Sequence, residues 1–228
     1  MSRLNHVARK LENMKLSGEY FASLKLKCDT IIDVGVHTGT SWLYDAYPDA
    51  AFHLIDPLPD RDAVAQSYPD LATTWHECAL GAEKGQQVLQ VPVSDGHELR
   101  QLATFEERTS QNLRRVKSSE IKEVTTKVET LDTLFADLPG PIGLKVDVEG
   151  GEYDVLLGAP QTLRKCAFVM LEVSLVQRFA ETRKFSEIVA LMAMNDYEVG
   201  GIFSGFRPNA RISDLLFLRN ASRRNGAV

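Results

Sequence analysis

Apolar positions change period along the chain, and each change predicts an element. Leu4, Val7, Ala8, Leu11 and Met14 recur at helical spacing, which predicts an amphipathic helix at the start. Phe21 and Leu24 add a second short helical piece, completing an N-terminal helical segment over residues 1–28. Continuous apolar runs then alternate with helical ones. Thr30 to Val34 reads as a buried strand, Thr40 to Tyr47 as a helix halted before Pro48, and Ala51 to Ile55 as a strand. Asp60 to Tyr68 reads as a helix and Leu71 to Glu77 as a third strand. This alternation predicts an α/β fold with a parallel sheet covered by helices.

Beyond Gly81 the rhythm breaks. Gln86 to Val93 predicts an additional strand, and Val124 to Leu131 another. Between them residues 94–122 are polar and charged, and read as a lid or insertion over one end of the sheet. Its basic stretch from Arg108 to Lys117 reads as a solvated helix face or as part of the lid. Leu131 to Leu138 predicts a short helix and Pro139-Gly-Pro141 a turn. Ile142 to Val148 and Ala167 to Val173 predict strands, Gly151 to Leu157 and Phe185 to Met194 helices. Tyr197 to Phe203 and Leu215 to Arg219 predict two closing strands. No repeat or low-complexity linker divides the 228 residues, so one domain over 1–228 is expected.

Composition narrows the class. With 44% hydrophobic and 25% charged residues the chain is expected to be an ordinary soluble protein. Twenty-six basic against 31 acidic residues give a net charge of −5, which argues against nucleic acid as the main partner. No run approaches the ~18 apolar residues of a membrane span. Without a signal-peptide core, a cytoplasmic location is expected. Cys28, Cys78 and Cys166 are odd in number and widely spaced, which fits reduced thiols rather than a disulfide or zinc framework.

The first candidate chemistry is the loop Asp33-Val-Gly-Val-His-Thr-Gly39, between a strand and a helix. Glycine at 35 lets a ligand approach the backbone, and Gly39 opens a helix whose amides attract negative charge. Asp56 ends the next strand, where a carboxylate can accept from ribose hydroxyls. A dinucleotide fingerprint wants glycine where His37 stands, so the spacing disfavours NAD. It suits a ligand without a pyrophosphate, such as S-adenosylmethionine. The expected cofactor contacts are Asp33, Gly35, His37, Gly39, Asp56 and Asp147, with Glu77, Cys78 and Ala79 against the adenine.

The second is Leu144-Lys-Val-Asp-Val-Glu-Gly-Gly-Glu152. Residues two apart on a strand share a face, so Asp147 and Glu149 start on one side, and Glu172 ends the next strand. Glu152 fits a helix-cap or helix-dipole role. Two like charges need a cation, a proton or a donor between them. Asp147, Glu149 and Glu172 are therefore the candidate catalytic groups, as bases or as ligands of a hard divalent cation. His37, His76 and His97 are further candidate bases.

These segments resemble the FkbM-type S-adenosylmethionine-dependent methyltransferases. The matching pieces are Asp33-Val-Gly35 with Gly39, Ile55-Asp-Pro57, Ala79-Leu-Gly81, Val128-Glu-Thr-Leu-Asp132, Leu144 to Gly150 with Glu152, Leu171-Glu-Val173 and Asp214-Leu-Leu-Phe217. Val36-His37 departs from the Ala-Asn usual after the first glycine. The resemblance implies a Rossmann-like class I methyltransferase fold, with a seven-stranded, mostly parallel sheet, helices on both faces and an antiparallel last strand. It also implies methyl transfer to a hydroxyl of a sugar or related natural-product acceptor, a small molecule or glycan. The competing expectation is a cofactor-binding or partner module that keeps the fold without catalysis.

Overall fold

The computed structural model describes residues 16–109, 120–180, 183–203 and 210–220. The expected helix through Met14 and the basic residues Arg114, Arg115 and Lys117 lie outside them. In chain order the elements are α1 (Gly18–Ser23), β1 (Thr30–Val34), α2 (Ser41–Ala46), β2 (Ala51–Ile55), α3 (Arg61–Ser67), β3 (Thr73–His76), β4 (Ala79–Leu80) and β5 (Gly85–Ser94). They continue with β6 (His97–Glu98), a 3₁₀ turn at Arg100–Leu102, β7 (Glu120–Glu129), α4 (Leu131–Phe135), β8 (Ile142–Val146), α5 (Glu152–Leu157) and α6 (Pro160–Leu163). β9 (Cys166–Ser174), α7 (Phe185–Met194), β10 (Tyr197–Phe203) and β11 (Ile212–Arg219) follow.

Seven strands form one sheet in the order β10-β11-β9-β8-β1-β2-β3. Neighbours from β9 through β3 run parallel, and β11 runs antiparallel to both β9 and β10. This is the Rossmann-like sheet that the resemblance implies. The order reverses between β1 and β8, so a crevice opens beyond their carboxyl ends.

The sheet is central because its strands are apolar on both sides. Every residue of β8 is buried. Along β1 and β9 successive side chains enter opposite layers. Ile32, Val169 and Leu171 pack with Ile188 and Met192 of α7. Ile31, Phe168 and Met170 pack with Phe21 of α1 and with Leu43 and Tyr44 of α2. At ~25 cal/mol per Å² of apolar area removed from water, these layers supply most of the driving force for the fold.

Short helices are held at their starts by side-chain caps. Ser17 accepts from Tyr20 N–H at 3.2 Å, Asp60 from Ala63 at 3.1 Å and Thr130 from Thr133 at 3.0 Å. Asp132 accepts from the N–H groups of Gln161 and Thr162 at the start of α6. Thr130-Leu-Asp132 is thus a structural motif: one residue caps its own helix and another caps a helix ~30 residues on.

The strands predicted from Gln86 and Val124 form, with two short strands, a second, four-stranded sheet, β4-β7-β5-β6, apart from the main one. β5 and β7 pair antiparallel from Gly85–Val128 to Val93–Glu120, and most of their residues are partly or fully exposed. The strand expected to reach Val148 stops at Val146, because Glu149 and Gly150 turn the chain at φ 57° and 111°.

Candidate active site

The β1/β8 crevice is a cleft of about 420 Å³, within the range of small-molecule sites. The loop after β1 forms one side. His37 N–H donates to Asp56 Oδ2 at 2.8 Å, and Leu58 N–H to Oδ1 at 2.7 Å. These bonds pin the β1 loop to the end of β2. Each carboxylate oxygen keeps acceptor capacity beyond its one N–H. Ile55, Cys78, Ala79 and Leu80 add an apolar wall beside Asp56.

Gly35, His37, Gly39, Asp56, Cys78, Ala79 and Asp147 all line this cleft, as expected of cofactor-binding residues. Two others do not. Asp33 is fully buried below it, accepting from Tyr44 Oη at 2.7 Å and lying 3.2 Å from Lys145 Nζ. A residue inside a strand between two layers cannot reach the strand end, so Asp33 meets the cleft only through Lys145. Glu77 points away and pairs with Arg61 at 2.6 Å. Gly35 also has a different reason to be glycine. Its φ is 76°, and a Cβ there would lie 1.7 Å from the Asp147 carbonyl oxygen. The close neighbour is the end of β8 rather than a ligand.

Lys145, within the Leu144-to-Glu152 motif, joins the two sides of the cleft floor. Its ammonium donates to the carbonyls of Gly35 at 2.9 Å and Val34 at 3.3 Å, and lies 3.7 Å from Asp147. Burial alone would push its pKa down; Asp33, Asp147 and Glu172 outweigh that and hold it above the usual lysine value. Lys145 is the cation that offsets Asp33 and Asp147.

Glu149 and Glu172 share a different cation. Arg178 pairs with Glu149 through Nη2 and with Glu172 through Nη1, the latter at 3.4 Å. Alternation along a strand therefore does not explain how Asp147 and Glu149 sit, since Glu149 lies in the turn. Burial pushes Glu149 up, against the pull of Arg178. Burial, with Asp147 and Glu149 nearby, pushes Glu172 up to about 9, so it holds its proton at neutral pH. Glu152 is the cap expected: it accepts from Val148 and Gly150 N–H at 3.1 Å each and fixes the turn, and burial pushes it up to about 7.

Arg178 left no sequence signal. It lies outside every motif, between β9 and α7. Arg108, expected on a solvated face or a lid, is buried beside it. The segment from Arg100 to Phe105 lines the cleft, and Thr104 Oγ1 donates to the Glu149 carbonyl at 2.7 Å.

The histidines separate. His37 lines the cleft at φ 47°. His76 instead faces His53, with ring nitrogens 3.1 Å apart, and burial holds its pKa down. His97 is exposed in β6. Among the described residues no three His, Cys, Asp or Glu side chains converge as a metal-binding set, and no helix is long and apolar enough to cross a membrane.

Solved structures similar to this chain include three methyltransferases. The N-methyltransferase NodS from Bradyrhizobium japonicum is 8% identical with a TM-score of 0.48, covering 89% of this chain and 93% of its own. Fibrillarin from Aeropyrum pernix, crystallised with S-adenosyl-L-methionine, is 11% identical with a TM-score of 0.47, covering 88% and 74%. A TehB-like SAM-dependent methyltransferase from Corynebacterium glutamicum is 11% identical with a TM-score of 0.43, covering 95% and 97%. No curated protein matches the chain. The glycine loop, the Asp56 turn and the Lys145-to-Glu152 segment all fall within residues 33–199, which match the methyltransferase FkbM domain over well more than half of the chain, and the chain belongs to that family of S-adenosylmethionine-dependent methyltransferases.

Proposed function

We propose that the protein transfers a methyl group from S-adenosylmethionine to a hydroxyl of a sugar or related small molecule. The observation that carries this reading is Glu149 at the cleft, paired with Arg178 and pushed by burial above the usual carboxylate value. Raised proton affinity makes a carboxylate a better base, and an alcohol needs a base more than an amine does.

The residues fit the methyl donor. Asp56 has acceptor capacity left for ribose hydroxyls, the wall from Cys78 to Leu80 offers an apolar surface for adenine, and half-exposed Asp147 presents negative charge to an ammonium or sulfonium. When bound, the donor supplies an electrophilic methyl group on its sulfonium. Glu149 then takes the acceptor's hydroxyl proton on its carboxylate as the oxygen attacks. Glu172 keeps its own proton and so spares Arg178 for Glu149. Residues 100–105 shield the cleft from water, and alignment of the two reactants supplies much of the rate.

An acceptor screen with radiolabelled methyl donor tests this. Label in ether linkage on a hydroxylated acceptor is expected. Label on amines and on no hydroxyl compound overturns the reading.

A further inference from the structure

Between β6 and β7 of the four-stranded sheet, residues 107–109 meet the segment that carries Arg178. Arg108 and Phe179 form an isolated antiparallel bridge. Thr109 N–H donates to the Arg178 carbonyl at 3.3 Å, and Ala180 N–H to the Glu107 carbonyl at 2.7 Å. Backbone hydrogen bonds thus stitch residues 107–109 to residues 178–180. Within this seam Phe179 is fully buried, with the Arg108 and Arg178 guanidinium carbons 5.3 and 5.2 Å from its ring centroid. The ring rests on the turn that carries Glu149, since a Cβ at Gly150 would lie 2.7 Å from Phe179 Cε2.

We propose that Phe179 and Arg108 are positioning residues: together they hold the Arg178 guanidinium between Glu149 and Glu172, so that docking of residues 107–109 sets the charge of Glu149. The proposal rests on Glu149 as the base. Its physical basis is that burying two guanidiniums around one ring is costly, through desolvation and mutual repulsion. Cation–π attraction and the negative charge of Glu149 offset that cost only while the ring, both arginines and the turn stay in register. Shielding the cleft and charging the base then become one event. If the seam opens, Arg178 loses its seat and Glu149 gains affinity for a proton.

Carboxyl-carbon NMR of the whole chain labelled with ¹³C-carboxyl glutamate reads this without any substrate. The Glu149 and Glu172 resonances are identified by their loss in Glu149→Gln and Glu172→Gln. Phe179→Leu removes the aromatic face without changing charge, and Arg108→Lys keeps the charge but loses the planar group. Each is expected to raise the Glu149 midpoint by about one pH unit, a tenfold gain in proton affinity. Wild-type Glu149 titration in both variants overturns the proposal, even if Arg108→Leu shifts it, because charge alone would then account for the effect. Arg108→Lys decides the matter if Phe179→Leu does not fold. Methyl transfer is read separately by the acceptor screen, so a failure there leaves the titration result standing.

Discussion

At the glycine-loop end of the cleft the polar contacts are short in sequence: His37 meets Asp56 across 19 positions and Leu58 meets it across two. At the carboxylate end Glu149 meets Arg178 across 29 positions, and Thr104 meets the Glu149 carbonyl across 45. One end is a strand–turn–strand unit organised by backbone N–H groups around one carboxylate. The other is assembled from separate segments through ion pairs. A locally built end can be altered with little effect on distant charge. An end balanced by remote cations transmits every change of charge to its neighbours.

The two ends touch where Gly35 backs onto the Asp147 carbonyl, and substitution there breaks both at once. Gly35→Ala forces a Cβ into that carbonyl at a φ that L-residues rarely adopt. A destabilisation of about 3–5 kcal/mol is expected from strain and overpacking. For a chain of this size that lowers the thermal midpoint by roughly 10 °C, which calorimetry would detect; an unchanged midpoint would mean that the contact is not made.

Glu149→Gln acts on the carboxylate end alone. Turnover is expected to fall by roughly 10²–10⁴, the usual value of a general base, with donor affinity little changed. Steady-state kinetics with the acceptor found by the screen checks this. Loss of donor affinity with unchanged turnover would move Glu149 to the other end of the cleft.

This division also explains what could be read in advance. Strands such as Thr30–Val34, Ala51–Ile55 and Tyr197–Phe203 and the helix Phe185–Met194 were legible residue for residue, because local period and breakers dictate them. Asp56 and the glycine loop were legible for the same reason. Asp33 was misplaced because spacing puts it near the loop, while burial between two layers keeps it from the cleft. Asp147 and Glu149 both line the cleft, but not by period-two alternation, since the strand ends at Val146, one residue before Asp147. Arg178 carries no local signal and Arg108 reads only as part of a basic stretch, since nothing local marks a cation whose carboxylate partners or ring contact come from distant segments. The four-stranded sheet β4-β7-β5-β6 is illegible for a related reason: polar strands announce themselves as strands but not which sheet they join.

A smaller effect concerns pH. Glu172, whose ordinary value is 4.5, is held at about 9 by burial and by Asp147 and Glu149. Between those values the unfolded chain releases a proton that the folded one retains, so this group's stabilising contribution, complete below about 4.5, is lost as pH rises toward about 9. Glu152 has the same sign up to about 7. Above neutrality the slope is therefore expected to belong mainly to Glu172. Glu172→Gln is expected to lose about 1–2 kcal/mol less stability than wild type between neutral and alkaline pH, read by denaturant unfolding at each pH. Equal slopes would remove the proton from Glu172.

In the proposed function one cleft holds the methyl donor at its glycine-loop end and performs proton transfer at its carboxylate end. The most direct measurement is thermal unfolding with S-adenosylhomocysteine, the demethylated donor, on wild type, Asp56→Ala and Glu149→Gln. At a ligand concentration ~100 times its dissociation constant, binding stabilises by about 2.7 kcal/mol, which corresponds to a rise of roughly 5–10 °C. Wild type and Glu149→Gln are expected to show that rise in full, and folded Asp56→Ala to show little of it at the same concentration. No rise in wild type, or equal rises in all three proteins, would mean that Asp56 and the glycine loop do not hold the donor.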